Sequence, residues 1–304
     1  VADPAGLRAG VLGHPIGHSR SPVLHAAAYA TLGLDIDYRA HDVTPGQLAG
    51  FMGSLGDADG PAPGEWLGLS VTMPLKGEMV RFMHRLSPRV ERLGVLNTVV
   101  RDADGTLTGH NTDVDGIVEA LGFAGFRRDP AGGRLGVLGG GGTAAAAIAA
   151  ADRMGLDGVD LFVRTPARAA GQADLARALD LDAAIRPLAE FPTAAPGFRA
   201  VVATLPPRAA DPVAGALEGA SASGPAGADA LPPLLDAAYD PWPSALATAW
   251  RHRGGQVVSG LEMLLYQAVE QVRLFTERLR TDGTGADWPA VTDAMARSVG
   301  LPAR

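Results

Sequence analysis

No cysteine occurs among the 304 residues, so disulfides, a thiolate zinc site and a cysteine nucleophile are all excluded. Such a chain suits a reducing compartment. Positive charge is also short: 26 Lys and Arg face 33 Asp and Glu, a formal net charge of −7. Phosphate-backbone binding wants clustered cations, and the isolated Arg127-Arg128 pair makes no such cluster, so a nucleic-acid surface is set aside. No apolar run reaches the roughly 18 residues that a spanning helix needs. The longest candidate, residues 144–151, is broken by Asp152 and Arg153. The first residues, 1–6, carry neither the basic region nor the apolar run of a secretory signal. The expectation is a soluble, cytoplasmic protein with neither nucleic-acid nor membrane partner.

What is present reads as α/β. Hydrophobic residues at 47% and charged residues at 19% suit an ordinary globular chain, and the length suggests two domains of roughly 150 residues. Val11-Leu12-Gly13 reads as a buried strand, followed by the loop 14–20 and a helix opening at Pro22 with Ser21 as its N-cap. Residues 67–71 read as a second strand and 76–86 as a helix closed by Ser87-Pro88. Residues 95–100 and 106–108, joined across Asp104-Gly105, read as a hairpin. A helix over 114–121 then leads into a glycine- and arginine-rich connection at 122–134.

From Arg134 onward the order strand, glycine loop, helix, strand is a βαβ unit opening a parallel sheet. Residues 199–203 and 234–238 extend that sheet, with a Gly/Ala/Ser-rich surface loop at 219–230 between them. Leu261, Leu264, Leu265, Ala268, Val269, Val272 and Phe275 mark one face of a long closing helix. Because the parallel module looks complete by Ala238, this helix is expected to pack back on the first half. The domains are then 1–112 plus 240–304, and 113–239.

The glycine loop Gly139-Gly140-Gly141-Gly142 lies directly after a strand and before a helix. A dinucleotide pyrophosphate needs that placement, because the backbone must approach closely and the helix start offers free N–H groups. A flexible turn without a ligand is the alternative. At the end of the next strand, Val163-Arg164-Thr165-Pro166-Ala167-Arg168 holds two arginines and no acid. That suits a ribose 2′-phosphate, hence NADP, against the plainer reading of two solvated arginines.

Lys76 ends Ser70-Val71-Thr72-Met73-Pro74-Leu75-Lys76, and Asp113 ends Gly109-His110-Asn111-Thr112-Asp113. If the two segments converge, they make a proton-transfer pair. Alternatively Lys76 is a solvated helix lysine, and Thr112 or Asp113 caps the helix that follows. Ser19 and Ser21 offer two hydroxyls to a carboxylate, although a cap role explains Ser21 by itself. Asn97 serves either a site or a local turn, and Gln267, off the apolar stripe, is either solvated or facing a cleft. His14 and His18 stand four apart, but Pro15 and Gly17 argue against a helix between them and no carboxylate completes a set, so no metal is expected.

Together these segments, with Gly94-Val95-Leu96-Asn97-Thr98, Gly13-His14-Pro15-Ile16-Gly17-His18-Ser19-Arg20-Ser21-Pro22 and Gly260-Leu261-Glu262-Met263-Leu264-Leu265-Tyr266-Gln267, resemble the shikimate dehydrogenase family over nearly the whole chain. The resemblance implies an N-terminal α/β substrate domain and a Rossmann-type, doubly wound NADP-binding domain, with the active site in the cleft between them. It implies reversible reduction of 3-dehydroshikimate to shikimate with NADPH, on the way to chorismate and the aromatic amino acids.

By position, Lys76 and Asp113 would be catalytic, and Ser19, Ser21, Thr72, Asn97, Tyr239 and Gln267 would bind substrate. Gly139, Gly140, Gly141, Gly142, Thr143, Arg164, Thr165, Arg168, Thr204, Ala237 and Gly260 would hold the cofactor. Val163 departs from the asparagine usual before Arg-Thr, Leu205-Pro206-Pro207 departs from the usual loop, and Glu262 stands where glycine is also common. The expected partner is a small-molecule substrate, on a monomer or homodimer. The rivals are a quinate or dual quinate/shikimate dehydrogenase using NAD, a metabolite-sensing regulator of the same fold, and a folate dehydrogenase. The last would not explain the paired serines or the Asn-Thr-Asp segment.

Overall fold

The computed structural model describes residues 6–56, 65–221, 231–279 and 285–304. The chain divides into two compact units: Val1–Thr112 with Leu264–Arg304, and Asp113–Met263.

Unit one begins β1 (Leu7–Gly13), α1 (Ser21–Leu32), β2 (Ile36–Asp42), α2 (Leu48–Gly53), β3 (Glu65–Val71), β4 (Arg85–Leu86), α3 (Pro88–Leu93), β5 (Thr98–Arg101) and β6 (Leu107–His110). Its sheet runs β2-β1-β3-β5-β6-β4. β1 is parallel to β2 and β3, while β3, β5 and β6 form an antiparallel meander that includes the expected hairpin. β1 and β3 are buried at every position but the first, as strands covered on both faces must be. They lie so close at their ends that a Cβ on Gly13 would meet Thr72 Cγ2 at 2.3 Å.

The helix expected over 76–86 does not form. A short 3₁₀ turn, Glu78–Phe82, is followed by β4. The N–H groups of His84 and Ser87 bond the carbonyls of Leu107 and Gly109, and a helix would have kept those donors for itself.

Unit two runs α4 (Asp113–Phe123), β7 (Arg134–Leu138), α5 (Gly142–Met154), β8 (Gly158–Val163), α6 (Ala170–Ala178), β9 (Asp182–Pro187), α7 (Phe191–Ala194), β10 (Ala200–Ala203), α8 (Asp211–Ser221), β11 (Leu234–Asp236), α9 (Ala245–His252) and β12 (Val257–Ser259). The strand order is β12-β11-β10-β7-β8-β9, every neighbouring pair parallel. Counted from β7 and read from β9, that is 3-2-1-4-5-6, the doubly wound Rossmann order, whose topological switch point falls between β7 and β10. Alanines fill the buried face of α5, and their small side chains let the helix lie close on β7 and β8.

This unit reaches beyond the expected boundary at 239. β12 adds alongside β11, and Trp250 of α9 is fully buried with Leu217, Leu234 and Leu246. Residues 240–263 therefore complete the second core rather than the first. Of the glycine-rich stretch at 219–230, residues 219–221 finish α8 and 222–230 lie outside the described residues, as do residues 1–5 of the segment read for a signal.

α10 (Gly260–Thr276) passes into unit one at Leu264. There Leu265, Ala268, Val269, Val272 and Phe275 pack with Leu24, Ala28 and Tyr29 of α1 and with Val291 and Met295 of α11 (Trp288–Ser298). Among the described residues, no helix is long and apolar enough to cross a membrane.

Candidate functional site

In unit one, two of the sequence-predicted residues, Asn97 and Gln267, join Thr112 in a buried polar cluster. Asn97, 2% exposed, sits just before β5. Its Oδ1 accepts from the Thr112 N–H at 2.7 Å and from Thr98 Oγ1 at 2.8 Å, and its Nδ2 donates to Thr112 Oγ1 at 3.0 Å and Gln267 Oε1 at 3.1 Å. Gln267 Nε2 donates in turn to the Leu264 carbonyl at 2.9 Å. Asn97 therefore does far more than close a turn, and Gln267 is buried rather than solvated. Thr112, read as a possible cap, is tied into the cluster through both its N–H and its hydroxyl.

Gln271, one helical turn beyond Gln267, carries the network deeper. Its Nε2 donates to the Asn97 carbonyl at 3.1 Å and to Thr98 Oγ1 at 3.0 Å, which fixes the amide orientation, since a carbonyl only accepts. Its Oε1 takes the Ser70 hydroxyl at 2.7 Å, and Ser70 accepts from the Tyr38 phenol at 2.7 Å. The phenol also hydrogen-bonds the Ser21 side chain.

His25, fully buried, is stacked on Tyr38 at 3.9 Å and lies 3.4 Å from Gln271 Oε1. Because that oxygen only accepts, Nε2 carries the proton and Nδ1 accepts from the Tyr29 hydroxyl at 3.0 Å. Burial holds this imidazole down to about 3, against the weaker opposing effect of its hydrogen bond to Gln271, so it is neutral at physiological pH.

Ser21 is the first residue of α1, with Arg20 at the cap position and no side-chain capping bond. The expected N-cap is thus corrected: the hydroxyl turns inward to Tyr38 instead, and Ser19 Oγ accepts from the Ser21 N–H at 3.3 Å. Thr72 leaves β3 by donating its N–H to the Leu12 carbonyl at 2.8 Å, and its own carbonyl closes a turn with the Leu75 N–H. Lys76 follows, half-buried, its carbonyl accepting from the Leu96 N–H at 3.1 Å. Asp113 opens α4 itself and is buried, so that helix starts one residue earlier than expected. Asp113 and Tyr239 belong to unit two.

In unit two the predicted residues gather at the carboxyl ends of the parallel strands. Gly139 has φ of 117°, and a Cβ there would meet Thr204 Oγ1 at 2.4 Å. Only glycine combines that backbone with that approach. Thr204 donates both its N–H and its hydroxyl to the Leu138 carbonyl, pinning β10 to β7 at the switch point. Around a Cβ on Gly141 there is open space, and α5, opening at Gly142 and Thr143, has no side-chain cap. The first helical N–H groups are therefore available to an anion.

Arg164 and Thr165 leave β8 exposed. Arg168 lies in the 3₁₀ turn Pro166–Ala169, its side chain outside the described residues. Gly260 has a packing reason of its own, since a Cβ would meet the Ala237 carbonyl at 2.2 Å. Glycine loop, uncapped helix and uncommitted arginine fit a phosphorylated dinucleotide.

The family model for the shikimate dehydrogenase substrate binding domain matches residues 11–99. An NADP(+) shikimate dehydrogenase of Rubrobacter xylanophilus is 38% identical over 276 residues, covering 88% of this chain and 89% of that protein. The chain belongs to the shikimate dehydrogenase family. Among solved structures, the Mycobacterium tuberculosis shikimate dehydrogenase is 38% identical with a TM-score of 0.76, over 95% of this chain and 98% of that one. The Thermus thermophilus shikimate 5-dehydrogenase, solved with NADP(H) and shikimate, is 31% identical with a TM-score of 0.72, over 96% and 99%.

For a member of this family, two features escape motif reading. Lys76 is the only lysine in the chain, and the other 25 of its 26 cationic side chains are arginine. A sequence that uses arginine everywhere else keeps one ammonium here, and an ammonium can release its proton where a guanidinium cannot. Gln271 is the residue that the motifs leave out. Its spacing of four from Gln267, on the same off-stripe face of α10, was the available signal.

Proposed function

We propose that this protein is a cytoplasmic, NADP-dependent shikimate dehydrogenase that reversibly reduces 3-dehydroshikimate to shikimate. The observation that carries the reading is the single lysine at the exit of β3, inside the segment matched to the substrate-binding domain. The Thermus relative's pairing of NADP(H) with shikimate supports it.

NADPH supplies the hydride when bound; the chain supplies placement and protons. Gly139 to Gly142 and Thr143 would receive the pyrophosphate, Arg164, Thr165 and Arg168 the 2′-phosphate, and Thr204, Ala237 and Gly260 would flank the rest of the cofactor. Ser19 and Ser21 would donate to the substrate carboxylate. Thr72, Asn97, Tyr239 and Gln267 would orient its hydroxyls, Asn97 and Gln267 from positions already fixed by mutual hydrogen bonds. As carbonyl becomes alcohol its oxygen gathers negative charge, and the Lys76 ammonium would donate the proton that quenches it. Asp113 would take a hydrogen bond from the substrate hydroxyl. Arginine in place of Lys76 would keep the charge but not yield the proton.

Initial rates with shikimate and with quinate, each against NADP and NAD, test the reading. The shikimate and NADP pair should be fastest. No turnover in any combination would remove the enzyme assignment, and quinate with NAD in first place would reassign the substrate and cofactor.

A further inference from the structure

The turn after β10 places an arginine where backbone geometry favours glycine. The Ala209 N–H bonds the Pro206 carbonyl at 3.0 Å, which sets Pro207 and Arg208 at the two central positions. Arg208 has φ of 65°, and among the described residues only Asp180 is another non-glycine with positive φ. Proline followed by a left-handed residue is the pattern of a type II turn, whose second central position takes glycine or asparagine because other side chains crowd the backbone there. An unfavourable residue held in such a place points to a use for its side chain.

Arg208 lines a pocket of about 670 Å³ together with Arg164. Pro187, Leu188, Pro192 and Val213 make much of the remaining wall apolar, and Val163 joins the pocket to the glycine loop, lying 3.5 Å from a Cβ on Gly140. Neither guanidinium has a hydrogen bond or ion pair among the described residues. Elsewhere in the same unit Arg134, Arg153, Arg186 and Arg199 are each matched to carboxylates. Two uncommitted guanidiniums in one apolar-walled pocket, in a chain of net charge −7, describe a site for an aromatic ring carrying a phosphate.

We propose that Arg208 is a specificity-determining residue for the cofactor: with Arg164 it holds the adenosine 2′-phosphate, while the apolar wall takes the adenine. The inference rests on the NADP reading above and adds to it a contact from the β10 turn. Arg208 then discriminates NADP from NAD by charge-assisted bonds that a 2′-hydroxyl cannot match.

Calorimetric titration with adenosine 2′,5′-bisphosphate and with 5′-AMP tests this without turnover. In Arg208→Ala the bisphosphate should weaken about tenfold at low salt and 5′-AMP less than about twofold. Arg208→Gly, which also relieves the positive φ, should show the same selective loss. Bisphosphate affinity unchanged in both variants, or both ligands weakened equally, would overturn the role of Arg208. Arg164→Ala is the companion measurement. If it loses the bisphosphate while both Arg208 variants keep it, Arg208 alone is excluded; if the unmutated protein does not prefer the bisphosphate, the NADP reading falls with it.

Discussion

The two units set their candidate residues in different materials. In unit one two of the candidate residues, Asn97 and Gln267, belong to a buried side-chain network that runs from Tyr38 through Ser70 and Gln271 to Asn97, Thr112 and Gln267. In unit two the frame is backbone: a glycine at positive φ, an uncapped helix start and strand ends, with exposed arginines added at the rim. A satisfied buried network defines one geometry and is expensive to interrupt, because removing one member strands its partners. A backbone frame tolerates changes in the side chains around it. On the proposed assignment, substrate recognition would be tied to the folding of its unit, whereas cofactor preference would be adjustable at the rim.

The largest expected effect separates chemistry from both frames. Lys76→Arg keeps the charge and should lower kcat about a thousandfold, with shikimate binding changed only a few-fold. Retained turnover in that variant would remove the proton role of Lys76.

Acid should tell the units apart next. His25 has a folded value of about 3 against 6.5 unfolded. Its contribution to stability is therefore complete above 6.5 and is lost as pH falls toward 3. Burial pushes His41 and His110 of the same unit in the same direction. In unit two, burial raises Asp236, outweighing its bonds from Ser244 and the Ala238 N–H. Stability from a raised carboxyl is present below its unfolded value and lost as pH rises through the folded one, so its sign is opposite. Between pH 7 and pH 4, amide protection in β2 and α1 should fall on the order of a hundredfold, and that in β7 and β10 much less. Equal losses in both units would contradict the contrast.

Legibility from sequence followed burial. The interior strands β1, β3, β7, β8, β10 and β11 announced themselves as short apolar runs. β2, β4, β9 and β12, which carry no such run, are the strands at the four sheet edges. An edge strand is covered less fully, so residues such as Asp37, Arg39 and His41 of β2, or Asp182 and Arg186 of β9, hide its period. The same missing β12 misplaced the return point of the first unit.

In the candidate site, motifs identified residues but not their company. Asn97 and Gln267 looked ambiguous singly because their partners lie 15 and 170 positions away. Lys76 had a compositional signal of a different kind, that of being the only lysine.

The most direct test of the comparison is calorimetry on Gln267→Ala, titrated separately with shikimate and with NADP. Shikimate should weaken about tenfold while NADP stays within about twofold. Equal weakening of both, or unchanged shikimate binding, would contradict the proposed role of the unit-one network in substrate binding.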